Sequence, residues 1–185
     1  TGQLGSRIYF VGQDPGTDWL RTLGPGETVN LIGPLGNGFA LADSCRNLLV
    51  LAEADWLQTL LPVINQMLDR NGRVTAIVLH DGKEDAAALL ASLPIAVEVH
   101  VAESEITWRQ TVTDTVRWAD QICASVPHNL YPALAEIIRS RRFRLEPQYA
   151  HVLVRAALAC GYGGCLACNV PTANGGVTRA CVHGP

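Results

Sequence analysis

The chain has 185 residues, of which 48% are hydrophobic and 17% charged, and its formal net charge is −3. This size permits one substantial hydrophobic core, with or without a small appended segment. The near-neutral charge gives no electrostatic basis for binding nucleic acid or an anionic membrane. A membrane-spanning helix needs roughly 18 or more uninterrupted apolar residues, and Glu53 and Asp55 interrupt the best candidate, residues 47–64. We therefore expect no nucleic-acid partner and no membrane span.

The first region, residues 1–44, is rich in glycine and proline. Two short runs, residues 6–12 and 28–32, have the composition of strands, and a Gly-Pro-Gly turn separates them. The segment GPLGNGF follows at residues 33–39. Because two strands alone do not form a stable unit, we expect them to belong to a larger sheet.

The second region, residues 45–146, alternates strand-like and helix-like patterns in chain order. Strands are predicted at residues 47–52, 73–80, 96–101 and 121–125. Helices are predicted between and after them, at residues 55–70, 84–92, 111–118 and 130–141. One more strand is predicted at residues 148–154. Apolar strands that alternate with helices predict a parallel sheet covered by helices on both faces.

Four of the six cysteines fall within 22 residues and have the spacing C-x4-C-x2-C, then twelve residues, then C. These are Cys160, Cys165, Cys168 and Cys181. This spacing is typical of the plant-ferredoxin type of [2Fe–2S] cluster. Glycines in the loop CGYGGCLAC permit backbone N–H groups to approach the sulfurs. Clustered cysteines without a signal peptide indicate a metal site in a reducing compartment, which we expect to be the cytoplasm.

Two other interpretations of the cysteines stay open at this point. Zinc also takes four cysteine ligands, although zinc ribbons usually present two separate C-x2-C pairs. Three disulfides would suit a secreted protein. A Rieske centre is disfavoured because it needs two histidines, and His183 has no second histidine near it in the sequence.

The cysteine loop, the distal Cys181 followed by HGP, and the upstream GPLGNGF together resemble the electron-transfer subunits of class 1B dihydroorotate dehydrogenases. That family belongs to the ferredoxin–NADP reductase superfamily. The resemblance implies an α/β protein with a partial FAD-binding antiparallel β-barrel at residues 1–44. A ferredoxin-reductase-like parallel-sheet domain follows at residues 45–146, and a [2Fe–2S] segment at residues 147–185. It also implies the four cysteines as ligands and a catalytic flavoprotein subunit as partner.

The resemblance also implies flavin contacts. The positions that match FAD-contacting residues of the family are Ile8, Tyr9, Phe10, Gly16 and Thr17. The R-x-[YF]-S-type flavin motif of the family has no counterpart in this sequence. FAD is therefore a possible cofactor of this chain, to be settled by its flavin content.

This sequence lacks the nucleotide-binding motifs of the family. The glycine-rich turn that lets a pyrophosphate approach a helix N-terminus is replaced by AEADWLQTLLP at residues 52–62. Glu53 and Asp55 stand where phosphate would bind, and like charges repel. A later C-G-P motif reads Cys123-Ala124-Ser125. We therefore expect that NAD(P) does not bind.

These observations favour an electron-transfer subunit that relays electrons through a [2Fe–2S] cluster between a flavin and a partner oxidoreductase. Such a subunit needs no catalytic acid or base of its own. The alternative is a non-catalytic iron–sulfur or zinc module, structural or redox-sensing, whose flavin and nucleotide sites have decayed. The metal and flavin content distinguishes these hypotheses.

Overall fold

The computed structural model describes residues 15–33, 35–80, 82 and 91–184. The chain forms two compact units, Thr1–Ile32 and Gly33–Pro185. The predicted strand at residues 6–12 lies outside the described residues, as does almost all of the predicted helix at residues 84–92. The domain bounds 1–44, 45–146 and 147–185 stay a prediction.

The described part of the first unit contains one helix, α1 (Pro15–Thr22). Proline at the first helical position, Asp18 in the first turn and Arg21 in the last turn all favour a helix here. The predicted strand at residues 28–32 is wrong, because these residues have no regular structure. A strand needs a pairing partner, and the described part of this unit offers none. The barrel remnant therefore stays a prediction.

The second unit is built on a five-stranded sheet in which every neighbouring pair is parallel. Its strands are β1 (Asn47–Glu53), β2 (Arg73–Leu79), β3 (Glu98–Ala102), β4 (Gln121–Ser125) and β5 (Ala150–Val152). Their order is β3-β2-β1-β4-β5. The parallel sheet predicted from the apolar runs is confirmed, and β4 agrees with the prediction residue for residue.

The helices agree with the sequence pattern less closely. The described ones that flank the sheet are α2 (Leu61–Asp69), α3 (Glu105–Thr115) and α4 (Tyr131–Arg141). A 3₁₀ helix, Ala54–Leu60, precedes α2, and Pro62 lies in the first turn of α2, where no N–H is needed. The start of α3 is earlier than the predicted residue 111. Ser104 Oγ accepts the N–H of Thr107 at 3.2 Å and caps that helix.

The sheet is buried on both faces. Leu48 and Val50 of β1 pack into one core with α2 and the 3₁₀ helix. Leu49 and Leu51 pack into a second core with α3 and α4, around the fully buried Trp108. Alternate residues of one strand thus supply both cores, which explains why β1 is apolar throughout.

The strand order gives the sheet a topological switch point between β1 and β4. The chain runs outward from β1 to β2 and β3, then returns to the other side of β1 for β4 and β5. In open parallel sheets, ligands bind outside the carboxyl ends of the strands at such a point.

Among the described residues, no helix combines the length and the apolar character that a membrane crossing requires.

The cysteine segment follows β5. It contains an antiparallel pair of short strands, β6 (Asn169–Pro171) and β7 (Val177–Arg179), and a one-turn helix, α5 (Ala180–His183). The rest of the segment is loop.

Candidate metal centre

Two of the four clustered cysteines are brought together by β6 and α5. Cys168 immediately precedes β6, and Cys181 lies in α5. Their Sγ atoms are 3.3 Å apart, and both residues are buried, with 2% and 4% of their surface exposed. The N–H of Ala180 donates to the carbonyl of Cys168 at 3.0 Å, so backbone hydrogen bonding holds the two thiols side by side.

The other two cysteines begin and end a tight loop. Gly161 and Gly163 adopt positive φ angles of 73° and 81°, which turn the chain back on itself. The N–H of Cys165 consequently points at the Sγ of Cys160, at 3.5 Å. Arg179 donates to the carbonyl of Gly163 at 2.9 Å and ties this loop to the end of β7.

Backbone donors also control the protonation of these thiols. The N–H groups of Cys165 and Tyr162 lower the pKa of Cys160 from 9.0 to about 6. The N–H of Cys181 lowers the pKa of Cys168, whereas the contact with the Cys168 thiol raises the pKa of Cys181. Cysteine binds metals as the thiolate, so N–H groups directed at sulfur prepare the site for metal ions.

The four thiols form two pairs, Cys160 with Cys165 and Cys168 with Cys181. Within the described ranges, no three His, Cys, Asp or Glu side chains converge as ligands of a single metal ion would. A [2Fe–2S] unit has two irons and four cysteine ligands, so two pairs of thiols suit it in number. The ring of His183 lies 3.0 Å from Thr178 Oγ1, a hydrogen bond that gives this histidine a partner other than a metal.

A contact from the GPLGNGF segment anchors the cysteine segment, and sequence reasoning missed it. The N–H of Gly36 donates to the carbonyl of Cys181 at 2.9 Å, and the N–H of Asn37 donates to the carbonyl of Gly184 at 2.6 Å. Gly36 has a φ of 70°, and a Cβ added there would lie 2.6 Å from the Gly184 oxygen. No local pattern signals such a contact between residues so distant in the chain.

The two remaining cysteines belong to the hydrophobic core. Cys45 and Cys123 are buried in the core beside α2. Burial raises the pKa of Cys45, and burial raises the pKa of Cys123 to about 12. Both thiols belong to the core of the sheet, whereas Cys168 and Cys181 belong to a separate buried cluster.

The difference in pKa and exposure between the core thiols and the loop thiols predicts which cysteines an alkylating reagent labels in the cluster-free native protein at pH 8. A thiol with a pKa of about 12 is thiolate in only about one molecule in ten thousand at that pH. Iodoacetamide should therefore modify Cys160 and the exposed Cys165 and spare the buried Cys45 and Cys123, as read by mass spectrometry of the peptides. Both core thiols should become reactive once the protein is unfolded in urea, and labelling of either before unfolding would contradict their placement.

The flavin positions expected from the resemblance are only partly described. Gly16 and Thr17 lie in the first turn of α1, and Thr17 is buried. Ile8, Tyr9 and Phe10 lie outside the described residues. Their contact with FAD stays a prediction.

Two exposed apolar side chains lie in the cysteine loop. Tyr162 is 79% exposed, and Leu166 is exposed to more than half of its surface. Cys165, between Tyr162 and Leu166, is itself exposed. Neighbouring exposed apolar side chains are characteristic of surfaces that bind other proteins.

Comparisons with known proteins match the cysteine segment and most of the chain. A protein-family model described as the iron-sulfur cluster binding domain of dihydroorotate dehydrogenase B matches residues 156–185. The dihydroorotate dehydrogenase B (NAD(+)) electron transfer subunit of Bacillus caldolyticus is 30% identical over 96% of this chain and 70% of its own length. The subunit of the same name from Streptococcus pneumoniae R6 is 28% identical over 96% of this chain and 70% of its own length.

The fold has a counterpart among solved structures. An NADH-dependent reduced ferredoxin–NADP oxidoreductase superposes with a TM-score of 0.69 at 20% identity. The match covers 96% of this chain and 64% of the solved chain. A ferredoxin-reductase-like fold, which the sequence predicted, is thereby confirmed for the parallel-sheet part.

Proposed function

The chain belongs to the family of dihydroorotate dehydrogenase B electron transfer subunits, and from that membership we propose that it relays electrons through a [2Fe–2S] cluster. The proposed ligands are Cys160, Cys165, Cys168 and Cys181. The observation that carries the proposal is that these thiols form two pairs, with backbone N–H groups directed at the sulfurs. When bound, such a cluster accepts and donates single electrons.

Different cysteines would hold the cluster within the protein and expose it to a partner. Buried Cys168 and Cys181 are fixed by β6 and α5, and so keep one side of the site away from water. Exposed Cys165 lies on the loop that faces solvent. The N–H groups that hydrogen-bond the sulfurs stabilise thiolate charge and therefore influence the reduction potential of the site.

We propose that the apolar surface around Cys165 is where the partner binds. Tyr162 and Leu166 give this surface side chains that lose contact with water on association. The partner would be the catalytic flavoprotein subunit that oxidises dihydroorotate, as the names of the relatives suggest. Docking there would bring its redox centre close to the proposed ligand loop.

Three further features are part of the same proposal. FAD would be held in part by the first unit, through Ile8, Tyr9, Phe10, Gly16 and Thr17. The family resemblance is the support for that assignment and for a partial barrel in residues 1–44. We propose the cytoplasm as the location, since the described cysteines form no disulfide and a thiolate cluster suits a reducing compartment.

The test is the cofactor content of protein purified without oxygen. We expect about two irons and two acid-labile sulfides per chain, as a [2Fe–2S] cluster requires. Flavin in the same sample would support the complete relay, whereas iron and sulfide without flavin would indicate that another chain supplies the flavin. Zinc without sulfide would contradict the proposal and support a structural zinc module.

A further inference from the structure

The relatives carry NAD(+) in their names, so the crevice at the switch point between β1 and β4 is where a nicotinamide nucleotide would be expected. In this chain, the carboxyl end of β1 is Glu53 and that of β4 is Ser125. What lies between these two residues decides whether a dinucleotide can enter.

The side chain of Arg155 occupies this position. One of its Nη atoms donates to the Glu53 carboxylate, and the other donates to the carbonyl of Ser125 at 2.7 Å. The guanidinium lies over the ring of Trp56, 4.5 Å from its centroid. Only 14% of the Arg155 side chain is exposed. Arg155 thus bridges the carboxyl ends of the two strands that flank the switch point.

The backbone beside this bridge does not have the form that binds pyrophosphate. A dinucleotide site needs a glycine turn after the first strand, so that phosphate can approach the N-terminus of a helix. Here β1 passes directly into the 3₁₀ helix Ala54–Leu60, and the sequence has no glycine between Gly38 and Gly72. The glycine turn of a dinucleotide site is therefore missing after β1.

Negative charge on the other side of β1 also disfavours the binding of phosphate groups. A cavity of about 240 Å³ lies beyond the carboxyl ends of β1 and β2. The carboxylates of Glu53, Asp55, Glu103 and Glu105 line it. Of these, Glu53 pairs with Arg155 and Glu105 pairs with Arg109. A nucleotide diphosphate placed there would meet like charge.

We infer that Arg155, held by Glu53 and Trp56, closes the nucleotide crevice, so that this chain does not bind NAD(H) or NADP(H). Arg155 is a specificity-determining residue that excludes the nucleotide named for the relatives. Electrons that this chain carries are then exchanged with a donor or acceptor other than a nicotinamide nucleotide. The inference concerns the sheet and is independent of whether the cysteines hold a cluster.

The test is calorimetric titration of the full chain with NADH and with NADPH. The wild-type protein should show no saturable binding up to about 1 mM, the upper end of ordinary Michaelis constants. The double variant Glu53→Ala/Arg155→Ala removes the bridge and leaves no unpaired buried charge, so it should fold. We expect it to bind NADH at least about tenfold more tightly than the wild-type protein does, a difference of about 1.4 kcal/mol.

The control is Arg144→Ala/Glu146→Ala, which removes an exposed ion pair of the same kind. It should behave as the wild-type protein in the titration. Saturable binding of NADH by the wild-type protein would overturn the inference. A folded double variant that gains no affinity would overturn the role of Arg155 and assign the exclusion to the backbone. Both results are independent of the iron and sulfide content, which tests the proposed function.

Discussion

Replacement of Cys165 by serine should leave the purified protein with less than about a tenth of the wild-type iron and acid-labile sulfide. A serine hydroxyl is a much poorer anionic ligand than a thiolate, and loss of a partner that merely orients a ligand already costs about 10- to 100-fold in metal affinity. The visible absorption of the cluster should disappear together with the iron. Iron, sulfide and absorption spectrum are measured on the same anaerobic preparation.

Cys45→Ala is the matched control for that experiment, because Cys45 is a buried core thiol outside the proposed ligand set. It should keep the full iron and sulfide content while its thermal unfolding midpoint falls slightly. Wild-type iron and sulfide in Cys165→Ser would refute the ligand assignment. Loss of iron in both variants would show that general destabilisation empties the site.

Substitution of Gly36 by alanine should accelerate cluster loss by about tenfold or more in the presence of a chelator. The left-handed backbone at this position costs a residue with a side chain about 1–2 kcal/mol. The added Cβ would also lie 2.6 Å from the Gly184 oxygen, which forces apart the backbone that holds Cys181. The decay of visible absorption after addition of the chelator gives the rate.

Gly38→Ala distinguishes the effect of backbone strain from the effect of the collision with Gly184. Gly38 has a φ of 66°, close to that of Gly36, but a Cβ added there has no neighbour within 4 Å. It therefore carries the same backbone strain without the collision, and its cluster should decay at close to the wild-type rate. Equal decay rates in the two variants would show that the contact with the cysteine segment does not stabilise the cluster.

The sequence predicted the parallel sheet, which is confirmed, and the cysteine ligand set, which stays a prediction, and both rest on local patterns. β1 and β4 are apolar runs because both of their faces are buried, and such runs can be recognised without knowledge of their neighbours. The spacing of Cys160, Cys165 and Cys168 likewise depends on local loop geometry. Features encoded within a few consecutive residues were therefore accessible from the sequence.

Features that depend on distant residues were not accessible. The contact of Gly36 with Cys181 and the bridge from Arg155 to Glu53 join residues far apart in the chain, and neither has a local pattern. The strand expected at residues 28–32 failed for a similar reason, because its β-branched composition says nothing about a pairing partner. Helix α1 was not predicted, although Pro15 and Asp18 favour a helix start.

The hydrogen bonds from Gly36 and Asn37 to α5 have a consequence for the order of assembly. Ribosomal synthesis proceeds from the N-terminus, so the donor groups of Gly36 and Asn37 and the parallel sheet emerge before the cysteine segment. Contacts between such distant residues form late in folding, after the intervening chain has collapsed. We therefore expect the cysteine segment to dock onto a domain that is already folded. Cluster insertion should be the last step of maturation, and a folded, cluster-free intermediate should precede it.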